Sequence, residues 1–599
     1  MKMEIGYFDD KAYKEKLNRQ GKNYWFEYLK EILCQLGISG KEVSPKILGS
    51  EEGIKDIKVL FIGNQNIGDY GIEAVRNIDD WVAQGGMLIG FKTEGLDNVF
   101  GNTYQSDIKQ PKDDFTLSGY FTFKKHKLTK GIHSFVCPSQ KLLIFSDIRA
   151  VITNQSEPLA GLYLKKDKKE FASAITTNRY GKGFAVYFSF DVAKTFWVLH
   201  HGKPVYRGTE GTKERWWITA SQKTVIKDNS NKVGYADEIL LLLQNIIALR
   251  KYPFIYQIPP KDNKIPVALF HWGGDDEGDG SGIQLKASNW MKEKNLPYHI
   301  NVMEVGDRKI SLSKEDAEKI IKNGHELSCH YNFTMKKSDK NNPLMATESE
   351  VERQSKNFRD KFGLKPLAGA THCVIWYGGS EPAKWMRKAG GMANNNYSSP
   401  GPIFNGSNLN FGFGTSYPYY FYDDAKNKNK RINFMEIPIT GYELGHKASG
   451  GGDKMEVDLP EVYLAADIAS YYHLVFNMFY HPYYIYNESG ARKAIEGFLD
   501  YINRKGITVV HMGTNAVAKW WDGRRKSKLS NVSDHNHTLF FDAFCSYKEG
   551  MIIKIPIEEK VINLKIDNQN PESEEKNEFG NRWLYFICPY GTHKIQLLT

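Results

Sequence analysis

The chain has 599 residues, too many for one ordinary domain, and its 41% hydrophobic and 25% charged residues describe a globular protein with several cores. The 80 basic and 70 acidic residues leave a formal charge of +10 spread along the whole length. There is no dense basic block interleaved with aromatics and no apolar run near the roughly 18 residues of a membrane span, so neither nucleic acid nor membrane is expected as a partner.

The N-terminus, MKMEIGYFDDKAYKEKLNRQ, lacks the apolar core of a secretion signal. Six cysteines (Cys34, Cys137, Cys329, Cys373, Cys545 and Cys588) form neither CxxC pairs nor a disulfide-dense pattern. Both features point to a reduced, cytoplasmic protein, a pattern that a trimmed secretion signal would also leave. Aromatic residues reach 13%, with 34 Tyr and 12 Trp, which suits large cores or stacking surfaces for sugar rings.

Residues 57–100 alternate strand and helix signals: IKVLFIGN, a short buried strand; YGIEAVRNIDDWVAQGG, an amphipathic helix with a glycine stop; MLIGF, a second buried strand. ASAITTNRYGKGFAVYFSFD reads as two strands joined by a Gly-Lys-Gly turn. Over roughly residues 1–250 this layout resembles a flavodoxin-like, class I glutamine amidotransferase-like domain, as in the non-catalytic middle domain of some β-galactosidases. An amidotransferase needs a cysteine on a strand-to-helix elbow. MLIGF is followed by KTEGLDN, Cys34 falls in a helix pattern, and Cys137 in HSFVCPSQ shows no elbow. Residues 1–258 are therefore expected to be a scaffold, a homo-oligomerisation surface or a substrate-binding wall.

After the helix pattern YADEILLLLQNIIALRKY and a proline-marked linker, β-α units follow from PVALFHW to GITVVHMG. They predict a distorted (β/α) barrel over 262–535, with functional groups at the carboxyl ends of its strands. The remaining residues, 536–599, carry short strand patterns and predict a small β-domain. The fold class is α/β throughout the first two units.

The strand-end positions hold the chemistry. Asp275 and Asp276 close PVALFHWGGDD, His330 closes GHELSCHY, His372 lies in GATHCVIWYGG, and His481 follows VFNMFY. Carboxylates and imidazoles at one barrel mouth suit metal-assisted hydrolysis. Over about 262–530 the order of these motifs resembles the polysaccharide deacetylase family of chitooligosaccharide deacetylases. The resemblance implies Asp275 as general base, Asp276 and His330 as metal ligands, and His481 as general acid. The family's second motif, His-Ser/Thr-x-x-His, places its second histidine where this chain has Thr334, and Thr371 stands where the family's arginine is sought.

His372 is the candidate replacement ligand, and Asn332 competes for that place. His325, in the Gly-His-Glu turn, is expected to be structural, and His446 and His511 remain unassigned. Trp272, Trp376, Tyr377 and Asn332 are candidate substrate contacts. The implied cofactor is one divalent ion, zinc first, with cobalt, nickel or manganese acceptable to the same donors. The implied substrate is an acetylated oligo- or polysaccharide. Two other readings stand beside this one: a carbohydrate-binding protein on a decayed deacetylase barrel, and a glycoside hydrolase using acids such as Glu436 and Glu443.

Overall fold

A computed structural model describes residues 2–132, 140–204, 233–280, 282–333, 346–397, 408–446 and 457–599. The fold is mixed α/β, and among the described residues it is built on two curled sheets of eleven strands each and two sheets of four. Among the described residues no helix is long and apolar enough to cross a membrane.

The first sheet begins with parallel strands in the spatial order Lys41–Val43, Glu4–Phe8, Ile57–Ile62, Met87–Phe91 and Gly183–Phe188. The runs IKVLFI and MLIGF are strands because they are apolar apart from Lys58, and both are almost wholly buried, as strands covered on both faces must be. Beyond Gly183–Phe188 the sheet turns antiparallel through Ala172–Tyr180, the hairpin partner expected from the Gly-Lys-Gly turn. The antiparallel strands between Asn102 and Tyr163 carry weaker patterns and extend this sheet. Cys34 lies on the helix Leu29–Leu36, where burial pushes its thiol up to about 12, so it offers no thiolate. Cys137 lies outside the described residues.

The second large sheet runs from Tyr419–Tyr422 through Arg431–Glu436, Ala393–Asn394, Ala368–Thr371, Glu326–Tyr331, His299–Val305, Ala268–Asp275 and Val475–Phe479 to Gly441–Tyr442. It is curled and rich in parallel pairs, but its two ends do not pair among the described residues, so the expected barrel is an open one. Ala268–Asp275 pairs with three other strands of this sheet. Its first half is flanked by Val475–Phe479 and Val509–Gly513, and its last three residues pair with His299–Asn301. That strand delivers Asp275 to the carboxyl end of the sheet.

The C-terminal strands form two four-stranded sheets. The expected boundary at 535/536 falls in a hairpin turn, between strands Lys528–His535 and Thr538–Cys545, so the β-unit begins earlier, at Lys528. It also recruits Phe254–Ile255 from the linker as an edge strand. Arg524 joins the parts. Its guanidinium is buried and donates to the carbonyls of Cys34, Gln35, Ile255 and Tyr256. A cation at the end of helix Leu29–Leu36 satisfies carbonyls that helix geometry leaves free.

Candidate active site

Gly274 allows the site to assemble. A Cβ at this position would lie 1.8 Å from the Tyr480 carbonyl oxygen, so only glycine lets the strand Ala268–Asp275 pass this close to the residue before His481. The Tyr480 amide donates to the Gly273 carbonyl at 2.8 Å and fixes the approach. Asp275, His330, His372 and His481 thereby meet at one end of the sheet, with Glu277 among them.

Asp275 is buried. Its Oδ1 accepts from Asn301 Nδ2 at 2.8 Å, and its Oδ2 lies 3.3 Å from His330 Nε2. His330 Nδ1 is 3.0 Å from the Asp276 carbonyl oxygen, an acceptor, so the ring donates from Nδ1. With Nδ1 directed at that carbonyl, Nε2 is the ring atom that faces the Asp275 carboxylate. His330 Nε2 is buried and has no hydrogen-bond partner.

Asp276 is placed differently from the expectation. Its Oδ1 accepts from the amides of Gly278 and Asp279 and from Gln284 Nε2, so it organises the glycine-rich turn, while its Oδ2 is buried without a partner. Burial pushes its carboxyl up to about 6 against those hydrogen bonds. The acid grouped with the imidazoles is Glu277. Ligand atoms of Glu277, His330 and His372 all lie within 4.8 Å of one another. Glu277 keeps 41% of its side chain exposed. Partial desolvation would raise its carboxyl, but hydrogen bonds from His372 and His481 hold it below the usual carboxylate range. His372 Nδ1 is 3.1 Å from Glu277 Oε2. Burial opposes the charged His372 ring, yet Cys373 and Glu277 push it up to about 10. Just beyond, Cys373 and Val374 both sit at positive φ, 59° and 48°, a strained backbone for a side chain branched at Cβ.

His481 is held by Glu443. Its amide and its Nδ1 both donate to Glu443 Oε1, at 2.8 and 2.7 Å, and its Nε2 lies 3.6 Å from Glu277 Oε1. Burial disfavours the imidazolium, but the two carboxylates raise the ring well above its ordinary value. Glu443 itself sits at φ 47°, a left-handed conformation unusual for glutamate.

A hydrogen-bonded chain runs inward from Asp275. Asn301 Oδ1 is 2.9 Å from His299 Nε2, and His299 Nδ1 is 3.2 Å from Glu326 Oε2. Glu326 accepts the amides of Asn515 and Ala516, at 2.7 and 3.0 Å, at the start of helix Thr514–Lys526. Sequence reading assigned no role to His299, Asn301, Glu277 or the Glu443–His481 pair. The alternation His299, Asn301 along a buried strand was the available signal: polar residues at every second position inside an apolar run.

The remaining candidates lie elsewhere. Trp272 is fully buried, stacks on Tyr480 and donates to His511 Nδ1, so it presents no ring face to a sugar. Trp376 is buried against Phe421 and donates to the Gly379 carbonyl. Tyr377 is half-buried and packs on the core. Asn332 donates its side-chain amide to the Glu304 carbonyl, a backbone anchor in place of a ligand role. His325 accepts its structural role, with Nε2 2.8 Å from the Ser288 carbonyl oxygen. Thr371 is buried and donates to Asn396. Thr334 lies outside the described residues. Glu436 accepts from the amides of Asn396 and Tyr397 and from Asn394, a fully buried structural carboxyl.

No family model and no curated protein matches the chain. Among solved structures it is similar to Agd3, described as a novel carbohydrate deacetylase, at 9% identity and a TM-score of 0.41 over 100% of this chain and 99% of that one. It is also similar to a catalytic mutant of Gan42B, a GH42 β-galactosidase from G. stearothermophilus, at 15% identity and a TM-score of 0.24, over 32% of this chain and 27% of that one. A third similarity is to the exo-β-1,4-mannosidase Op5Man5 from Opitutaceae bacterium strain TAV5, at 12% identity and a TM-score of 0.22, over 33% of this chain and 32% of that one.

Proposed function

We propose that the protein is a metal-dependent hydrolase that removes acetyl groups from an oligo- or polysaccharide. One observation carries this reading: Glu277, His330 and His372 converge beside Asp275, with His330 Nε2 facing its carboxylate. Two imidazoles and a carboxylate form a donor set that suits zinc, and the buried His330 Nε2, which makes no hydrogen bond and has the Asp275 carboxylate 3.3 Å away, suits a shared cation. Glu277, His330 and His372 would hold the ion. When bound there, a divalent ion polarises the acyl carbonyl and acidifies the attacking water.

The chain's own groups take the proton-transfer roles. Asp275, whose Oδ1 is fixed by Asn301, is positioned to accept the proton of the attacking water. His481, kept charged by Glu443 and Glu277, is positioned to protonate the departing sugar nitrogen or oxygen. The order of the sequence motifs supports an acetylated carbohydrate as substrate. A glycoside hydrolase would need a pair of acids free to flank a glycosidic bond, whereas Glu436 is bonded to backbone and Glu443 to His481.

The test is acetate release from a panel of N- and O-acetylated oligosaccharides, with and without a chelator. Release that stops on chelation and returns with zinc supports the reading. Release that persists in chelator, or reducing ends without acetate, overturns it.

A further inference from the structure

The N-terminal sheet carries a second crevice. From Glu4–Phe8 the chain departs toward its neighbour Lys41–Val43, and from the adjacent strand Ile57–Ile62 it departs the opposite way, toward Met87–Phe91. The connections after these two strands therefore diverge at their carboxyl ends. In parallel sheets such a divergence opens the crevice in which ligands bind. Here it is a cavity of about 480 Å³, within the size range of small-molecule sites. Asp10, Tyr13 and Lys16 line it from the first connection, and Gln65, Asn66 and Tyr70 from the second.

Gln65 is the informative residue. It is 7% exposed, and neither its side-chain oxygen nor its side-chain nitrogen has a hydrogen-bond partner. Its backbone is fixed, with the amide donating to the Gly63 carbonyl and the carbonyl accepting from the Glu94 amide. A buried primary amide left unpaired on both atoms is unfavourable, and a ligand presenting one donor and one acceptor relieves it. Neighbouring hydroxyls on a sugar ring present that pair. Asp10 does not compete, because its Oδ1 accepts the Tyr13 amide and its Oδ2 the Tyr70 hydroxyl. The two tyrosines add ring surface for the C–H face of a sugar. Lys16 and Arg19 on the wall are matched by Asp10 and Asp69, so the crevice has no net charge with which to select an anion.

We propose that this crevice binds a neutral, hydroxyl-rich sugar residue through Gln65, independently of the chemistry at the other sheet. The test is ligand-observed NMR and calorimetry with glucose, galactose, N-acetylglucosamine, N-acetylgalactosamine and their short oligomers, on wild type and on Gln65→Leu. The substitution keeps the side chain's bulk and removes both unpaired atoms, so the variant should fold with an unchanged or higher Tm. At least one sugar is expected to bind wild type, and Gln65→Leu should weaken it about tenfold or more. Acetate release should be the same for both proteins. Tyr13→Ala, on the cavity wall, should weaken the same sugar. Binding that Gln65→Leu leaves intact overturns the proposal, and so does a panel in which no sugar binds. Neither result depends on whether acetate is released.

Discussion

Asn301 donates its side-chain amide to Asp275 Oδ1 at 2.8 Å, and this contact fixes the hydrogen-bond directions behind the site. With Nδ2 committed to a carboxylate, Asn301 presents Oδ1 to His299 Nε2, which must donate. His299 Nδ1 lies 3.2 Å from Glu326 Oε2, which continues the chain to the start of helix Thr514–Lys526. Asn301→Leu removes the contact at nearly constant volume and frees Asp275 to rotate. The turnover of acetylated substrate should fall about tenfold to a hundredfold with KM little changed, because misplacing a reacting group costs rate more than affinity. A variant with unchanged kcat would reduce Asn301 to a packing residue.

Metal content separates Glu277 from Asp276. Glu277→Gln, His330→Gln and His372→Gln each remove a charge or a lone pair from the cluster, and each should lower bound zinc measured by elemental analysis. Asp276→Asn should keep its metal, since the Oδ1 of Asp276 is engaged by the turn amides and Gln284. Its cost should appear in stability, about 1–3 kcal/mol for disturbed buried hydrogen bonds. Metal loss in Asp276→Asn with full retention in Glu277→Gln would reverse the assignment.

Strands in both large sheets were legible from short runs bounded by turn residues. IKVLFIGN, MLIGF, PYHINVM and HELSCHY all became strands, and YADEILLLLQNIIALRKY became the helix Tyr235–Ala248. Sequence order also singled out Asp275, His330, His372 and His481, which the fold brings together. What the sequence could not show is side-chain direction beyond a strand end. Asp276 and Glu277 are successive residues in a glycine-rich turn, and only the turn's backbone decides which carboxylate meets the imidazoles. Trp272 misled for a related reason: next to a strand end, a core tryptophan and a rim tryptophan read alike. The crevice with Gln65 was equally hidden, since a glutamine in GNQNIGDY reads as loop until the sheet order is known.

Glu31 gives the contact between the first sheet and the open barrel a pH dependence. It is 1% exposed and accepts the Tyr420 amide at 3.1 Å, and burial pushes its carboxyl up from 4.5 to about 7. The folded state thus binds this proton more tightly than the unfolded chain. Its contribution is fully present below about pH 4.5 and is lost as pH rises to about 7, by about 3 kcal/mol. Glu31→Gln cannot lose that contribution. Denaturant unfolding of both proteins should show the wild type losing stability relative to the variant across this window. Parallel curves would mean that Glu31 does not titrate there.

His481 and Asp275 should respond differently to the leaving group. Asp275 acts on the attacking water, so Asp275→Asn should slow every ester and amide substrate alike, by about 10² to 10⁴-fold. His481 acts on the departing atom. It is held by Glu443 at 2.7 Å and kept charged by Glu443 and Glu277, an arrangement suited to giving a proton away. A sugar amine or alkoxide departs poorly without that proton, whereas 4-nitrophenolate departs as a stable anion. His481→Ala should therefore be slow on acetylated sugars and close to wild type on 4-nitrophenyl acetate. Glu443→Gln should show the same selectivity in weaker form, because the amide can still orient the ring but supplies less charge to hold its proton. Measuring kcat across a series of aryl acetates gives the check: the dependence on leaving-group pKa should steepen in His481→Ala and stay parallel to wild type in Asp275→Asn. Equal slopes in all three proteins would remove His481 from the acid role and return it to a structural partner of Glu443.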